Sequence, residues 1–348
     1  MKNMRVAKWY NNRDVRVEEM PVPQIGSGEL LVRVVASGLC GTDALEWYRL
    51  PKAPLVLGHE IAGEVVGVGE GVGRWYGVGN RVCVAHHVPC NTCRLCARGH
   101  HTACETLRRT NFDPGGFAEY VRLPAINVDR GTFTIPDEVS YEEASFAEPL
   151  ACVLRGQRIA GVGVGDTVLV LGSGIAGLLH VQLARASGAA RVVATDIADY
   201  RLEAARRCGA DATIHASEDV PRRFRDLNDG WLADVVIVST GAESAIKQGL
   251  ASVERGGTVL LFAPTDRGVT IPISVNDLFF RNDITLTTTY AGSPADYGLA
   301  LELIRSGRIH VREMISHRLS LGEIGLGFRL LTNPEEQKAI KIIIEPQR

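Results

Sequence analysis

The sequence predicts an α/β protein in which a doubly wound parallel sheet is joined to a β-rich domain. Three observations predict it. An apolar run, Val168 to Leu171, passes at once into the glycines of Gly172-Ser-Gly174-Ile-Ala-Gly177 and then into a helical pattern. Further apolar runs at 234–239 and 258–262 alternate with helical segments at 199–208 and 243–253. The N-terminal third instead alternates with period two and is broken by proline and glycine.

The first observation is the most specific. Val168–Leu171 reads as a parallel strand buried on both faces. Leu178 to Ser187 reads as a helix that stops at Gly188, and Arg191-Val-Val-Ala-Thr195 reads as the next strand, ending on Asp196. In this G-x-G-x-x-G setting Gly172 permits the tight strand-to-helix turn and Gly174 admits backbone close to a pyrophosphate. Gly177 lets the helix pack on the strand, and the helix N-terminus faces the phosphate charge. Asp196 is placed to accept adenosine ribose hydroxyls, so the expected cofactor is NAD rather than NADP. A bare structural turn is the alternative, weakened by strand, helix, strand and acid all lying in register.

At 348 residues the chain suits two domains. Composition is that of a globular protein with a net charge of −2, which gives no reason to expect nucleic acid or a membrane surface as partner. Met1 to Tyr10 has no signal-peptide core and no run approaches a membrane span, so a cytoplasmic protein is expected. In that reducing setting eight cysteines point to metal rather than disulfides.

In chain order, strands are expected at Arg5–Trp9, Val15–Val17 and Leu30–Val35, separated by Pro21, Pro23 and Gly26-Ser-Gly28. Gly38-Leu-Cys40-Gly-Thr42-Asp43 reads as a turn, Pro51–Leu57 as a loop, and the glycine-dense Gly67–Arg81 as short strands and turns of a barrel-like kind. Gly115–Val121 looks like a strand entering a bend. Tyr141 to Ala151 reads as a helix that Pro149 should kink or divide. Ala295–Ser306 reads as a helix, and Lys341-Ile-Ile-Ile-Glu345 as a strand returning to the first domain.

Cys90-x2-Cys93-x2-Cys96-x7-Cys104 supplies four thiolates that can close a tetrahedron around one zinc with no open position, a structural site in a lobe spanning 88–106. Scattered buried cysteines are the bland reading, and a zinc-ribbon nucleic-acid module the competing one; the near-neutral charge argues against the second. Cys40, His59, Glu60 and Glu148 are also zinc-ligand types, and three ligands with one exchangeable position describe a catalytic zinc. Spacing alone leaves a satisfied histidine and a core cysteine equally open.

Gly58-His59-Glu60-x2-Gly63-x-Val65, the cysteine lobe and the G-x-G-x-x-G together resemble the zinc-dependent medium-chain dehydrogenases. Cys40-Gly-Thr-Asp, Glu148-Pro-Leu and Ser239-Thr-Gly-Ala-Glu are similar to the sorbitol (polyol) dehydrogenase branch. His87-Val-Pro-Cys90 and Thr195-Asp-Ile-Ala-Asp-Tyr-Arg are similar to threonine dehydrogenases. The resemblance implies a GroES-like catalytic domain from 1–155 and 294–348 and a Rossmann domain from 156–293. It further implies two zinc ions and NAD, and oxidation of a secondary alcohol, a polyol, to a ketone. L-Threonine 3-dehydrogenase or a glucose or inositol dehydrogenase is the second reading, and a non-catalytic NAD- and zinc-binding protein a remote third. Cys40, His59 and Glu60 match the catalytic zinc ligands, and Glu148 an acid that binds the metal directly or through water. Thr42 matches the first proton acceptor. Ile175, Asp196, Arg201, Thr240, Phe262, Ala263, Thr289 and Tyr290 match cofactor contacts. A homotetramer or dimer is implied, with sheet edges meeting. One departure stands out: Leu45 occupies the position of the usual relay histidine, leaving His87, Glu46 or water to carry the proton; otherwise His86, His87, His100 and His101 read as surface histidines near the zinc lobe.

Overall fold

A computed structural model describes residues 2–348. The chain divides into two compact units. One holds the residues up to Ala151 with 291–307 and 311–348; the other holds 152–290 with 308–310. Helices of eight residues or more are numbered below.

The first unit begins with β1 (Asn3–Asn11), β2 (Asp14–Pro21), β3 (Leu30–Gly38), β4 (Leu55–Val56) and β5 (Glu60–Val68). It continues with β6 (Arg81–Val84), β7 (Tyr120–Leu123) and β8 (Thr132–Thr134). β3 alternates between fully buried and half-buried residues over Leu30–Val34, the period expected of a strand with one face on a core. That core is apolar, built from Leu30, Val32, Val34, Ile61, Val65 and Val82. The β3–β5 pairing sets Gly38 opposite Glu60, so the segments that follow β3 and precede β5 emerge side by side.

Helix α1 (Ala147–Ala160) follows a short helical turn at Tyr141–Ala144. The division expected around Pro149 therefore falls ahead of it. Proline ends up in the first turn of α1, where its missing N–H costs no helical hydrogen bond. The boundary between the two units lies within this helix.

The second unit contains β9 (Thr167–Leu171), α2 (Ile175–Ala186), β10 (Arg191–Asp196), α3 (Asp199–Arg207) and β11 (Ala212–His215). Then come α4 (Val220–Leu227), β12 (Ala233–Val238), α5 (Glu243–Ala251), β13 (Val253–Leu261) and β14 (Thr285–Thr288). All six strands pair in parallel in the order β11-β10-β9-β12-β13-β14. The order reverses between β9 and β12, which makes the carboxyl end of β9 the switch point where such sheets bind ligands. Val168–Leu171 are wholly buried, as a central strand covered on both faces must be.

The chain then re-enters the first unit through α6 (Pro294–Arg305), β15 (Ile315–Ser320), α7 (Ile324–Thr332) and β16 (Lys341–Glu345). β16 occupies the interval expected of a final strand and pairs with β3, Ile343 opposite Gly38. It completes the sheet β15-β16-β3-β5-β6-β8, with β7 also on β3. Among the described residues no helix is long and apolar enough to cross a membrane.

Candidate active site and metal centres

The candidate residues are gathered by two strand ends. Past β3 the chain turns tightly through Gly41–Ala44, and the Cys40 N–H donates to Asp43 Oδ2 (3.1 Å), locking the turn. Thr42 Oγ1 donates to Cys40 Sγ at 3.3 Å. Ahead of β5, Gly58 has φ +91°, and a side chain there would meet the Phe117 backbone nitrogen at 2.7 Å, so only glycine lets the chain deliver His59 and Glu60. The Sγ of Cys40, an imidazole nitrogen of His59 and a carboxylate oxygen of Glu60 all lie within 4.8 Å of one another.

His59 is oriented from behind. Its Nδ1 lies 3.3 Å from Asp43 Oδ1, which leaves Nε2 for a metal. Burial opposes charge on His59, yet the neighbouring Asp43 and Cys40 outweigh it and raise the imidazole well above its ordinary range. Asp43, fully buried, would rise through burial but is held low by His59 and Arg49. Arg49 closes the network, with Nη2 3.6 Å from Asp43 Oδ1 and Nε donating to Thr42 O at 3.2 Å. A buried site that stabilises cationic charge beside a thiol and two carboxylates suits a divalent ion, which replaces the proton on binding. Glu60 forms a buried ion pair with Lys341 at the start of β16, and Lys341 also donates to Leu39 O at 3.3 Å.

Glu148 stands in the first turn of α1, outside that three-residue ligand cluster. Its Oε1 is 3.9 Å from Nδ1 of His86, whose ring packs between His59 (centroids 4.9 Å apart) and His87 (3.9 Å). Burial drives His86 well below the ordinary histidine range, and burial also takes His87 down to about 4 against the hydrogen bond of its Nδ1 with Thr110 O (2.7 Å). Glu46, weighed above as a relay, accepts from the Asn12 N–H (2.9 Å) and so is committed to the β1–β2 turn.

In the cysteine lobe the sulfur–sulfur distances are 3.6 Å for Cys93–Cys96, 3.6 Å for Cys90–Cys104 and 4.0 Å for Cys90–Cys96. Four thiolates around one zinc stand about 3.8 Å apart. The Cys93 and Cys90 N–H groups donate to the sulfurs of Cys90 (3.3 Å) and Cys104 (3.4 Å), the backbone support such thiolates need. The set fits a structural zinc, and Cys40, His59 and Glu60 fit a catalytic one.

In the second unit the sequence-predicted cofactor residues fall at the carboxyl ends of five neighbouring strands: Gly172 after β9, Asp196 ending β10, Thr240 after β12, Phe262 and Ala263 after β13, Thr289 and Tyr290 after β14. Gly172 has φ +92°. A Cβ on Gly177 would collide with Gly172 O, whereas one on Gly174 would meet no protein atom within 4 Å, the space a phosphate group requires. Asp196 accepts from the N–H groups of Ser173 (2.8 Å) and Ala198 (3.0 Å), with Arg201 Nη1 3.8 Å away. Ile175 opens α2.

Sequence reasoning passed over three residues in this region and took a fourth, His86, for a surface histidine, whereas its side chain is only 13% exposed. Asp43 was visible only as part of a motif, three residues past Cys40 where a turn carboxylate caps. Lys341 carried a signal as the single charge opening an otherwise apolar run. Arg49 and His86 had none that spacing could reveal.

Comparison with known proteins agrees with this chemistry. Residues 26–136 match the alcohol dehydrogenase GroES-like domain and residues 176–306 the zinc-binding dehydrogenase domain. The chain belongs to the zinc-dependent medium-chain dehydrogenases, on the sorbitol dehydrogenase-like side with threonine dehydrogenases close by. It is 32% identical to a sorbitol dehydrogenase of Bacillus subtilis over 92% of this chain and 91% of that one. It is 35% identical to an L-threonine 3-dehydrogenase of Pyrococcus abyssi over 86% of each. A solved structure from Sinorhizobium meliloti, described as a zinc-binding dehydrogenase bound to NADP, superimposes with TM-score 0.88 at 31% identity over 99% of this chain and 100% of that one. The protein is an oxidoreductase acting on CH–OH groups, with zinc and a nicotinamide dinucleotide as cofactors.

Proposed function

We propose that the protein oxidises a secondary alcohol within a polyol to a ketone, with NAD as acceptor. The observation that carries the reading is the Cys40, His59 and Glu60 donor set with the Thr42 hydroxyl against Cys40. When bound, zinc polarises the alcohol oxygen and eases loss of its proton, and the nicotinamide takes up the hydride. Asp43, with Oδ1 3.3 Å from His59 Nδ1, faces that side of the imidazole and leaves Nε2 to present. Lys341 balances Glu60, and Glu148 stands in the first turn of α1 with Oε1 3.9 Å from His86 Nδ1. Thr42 Oγ1 would accept the alcohol proton while passing its own hydroxyl proton on to the cofactor ribose. With Leu45 in the relay position, the onward path runs through solvent or past His87.

Asp196 supports NAD over NADP, because its carboxylate repels a 2′-phosphate. L-Threonine is the second reading, favoured by the 35% identity to the Pyrococcus enzyme. A homo-oligomer joined along the exposed β14 edge and a cytoplasmic location complete the proposal.

Cys40→Ser is the direct test. The variant should hold one zinc where the wild type holds two, and should reduce no NAD with any alcohol. Full activity in that variant would end the reading. A panel of polyols, threonine and sugars, followed through NADH absorbance, separates the substrate classes.

A further inference from the structure

At the Asp196 side of the nucleotide unit, β11 ends on His215, which stands opposite Asp196 in the parallel pairing of β10 with β11. Its imidazole is half-buried and engaged at both nitrogens. The Ser217 N–H donates to Nδ1 (3.3 Å), and the Ser217 hydroxyl lies 2.6 Å from the same nitrogen. A ring nitrogen that accepts carries no proton, so the neutral imidazole holds its proton on Nε2. Nε2 is 2.9 Å from Ile197 O and therefore donates to it.

Ile197 O belongs to the same peptide group as the N–H of Ala198. That N–H donates to Asp196 Oδ1 at 3.0 Å. One planar peptide thus joins the imidazole to the carboxylate, its oxygen held on one side and its N–H aimed on the other. Planarity makes the link stiff, because turning the C=O away from His215 turns the N–H away from Asp196. Hydrogen bonds at both ends of an amide also polarise it, so each strengthens the other. The second carboxylate oxygen, Oδ2, accepts from the Ser173 N–H (2.8 Å), and the Asp196 carbonyl accepts from the Ala216 N–H (2.9 Å). The carboxylate is held at both oxygens, and the hold on Oδ1 is anchored by His215.

We infer that His215 is a positioning residue for the choice of dinucleotide: through the Ile197–Ala198 peptide it fixes the Asp196 carboxylate where a ribose 2′-hydroxyl can donate to it and a 2′-phosphate is repelled. The inference rests on the Asp196 reading above and adds what keeps that carboxylate in place. A carboxylate free to swing loses the acceptor geometry that the hydroxyls use and relieves the repulsion that a phosphate meets. Slackening it therefore costs affinity for NADH and spares NADPH.

The test measures dissociation constants of NADH and NADPH from the full chain by nicotinamide fluorescence, with no alcohol present. His215→Leu should lower the preference for NADH by about three- to tenfold, the worth of one hydrogen bond. His215→Gln, whose amide N–H reaches the Nε2 position, should keep that preference. His215→Asn, whose amide reaches only the Nδ1 position, should lose it as His215→Leu does. In an Asp196→Asn background His215→Leu should leave the ratio where it is, because no charge remains to be aimed. An unchanged ratio in His215→Leu alone overturns the inference, whether both affinities hold or both fall together. A further shift of the same size in the Asp196→Asn background overturns it too. Should the leucine variant not fold, equal ratios in the glutamine and asparagine variants overturn it as well. A wild type that binds NADH and NADPH alike removes the Asp196 reading along with the inference, whereas a wild type and a leucine variant that discriminate equally remove the inference alone.

Discussion

At the scale of single residues, the Glu60–Lys341 pair shows how the pocket manages charge. Both side chains are essentially inaccessible to water, and removing one partner of such a pair strands the other. Lys341→Met should therefore destabilise the zinc-free protein by about 3–5 kcal/mol. The zinc-loaded protein should suffer less, because the ion then compensates the carboxylate. Urea unfolding of both forms checks this, and equal losses would contradict it. Asp196 permits a second substitution. Asp196→Asn keeps an oxygen to accept from Ser173 N–H but removes the charge, and should shift the kcat/KM ratio from NAD towards NADP by about tenfold to a hundredfold. An unchanged ratio would mean that Arg201, not Asp196, sets the preference.

At the scale of elements, α2 carries a buried histidine that links the nucleotide unit to pH. His180 is wholly inaccessible, with Gln157 Nε2 3.3 Å from its Nδ1 and the Phe262 ring edge-on at 4.5 Å. Burial takes its pKa down to about 3. The unfolded chain binds this proton near pH 6.5 and the folded chain does not, so the stability is complete above that pH and drains away as pH falls towards 3. Each pH unit in that window costs about 1.4 kcal/mol. Denaturation midpoints at neutral and mildly acid pH should accordingly fall further for the wild type than for His180→Leu.

Elements also explain what could be read in advance. The β9–α2–β10 unit announced itself because a doubly buried strand, three spaced glycines and a terminal acid each obey a local rule. β16 was legible for the same reason, as an unbroken run of isoleucines. The division at Pro149 was foreseen but misplaced, since proline tolerates the first turn and the break moved upstream to residues 145–146. The lining of the metal pocket was far less legible. Asp43, Arg49, His86 and Lys341 meet Cys40 and His59 only through strand register and turn geometry, and one of them arrives from the far end of the chain.

For the whole molecule, two metal sites with distinct ligand sets predict separable losses. Cys104→Ser should release the zinc of the cysteine lobe and lower thermal stability while leaving the Cys40 site loaded; metal analysis alongside a melting curve decides it. Loss of both ions from that variant would show that the lobe supports the active site rather than its own segment alone.

The pairing of Lys341 with Glu60 spans 281 positions. During synthesis all three ligands of the reactive metal leave the ribosome long before the cation that balances one of them. A nascent chain therefore displays a competent-looking donor set in which the carboxylate has no internal counterweight until Lys341 has emerged. Maturation of the centre is thus tied to the arrival of β16, a strand translated long after the donors whose charge it balances.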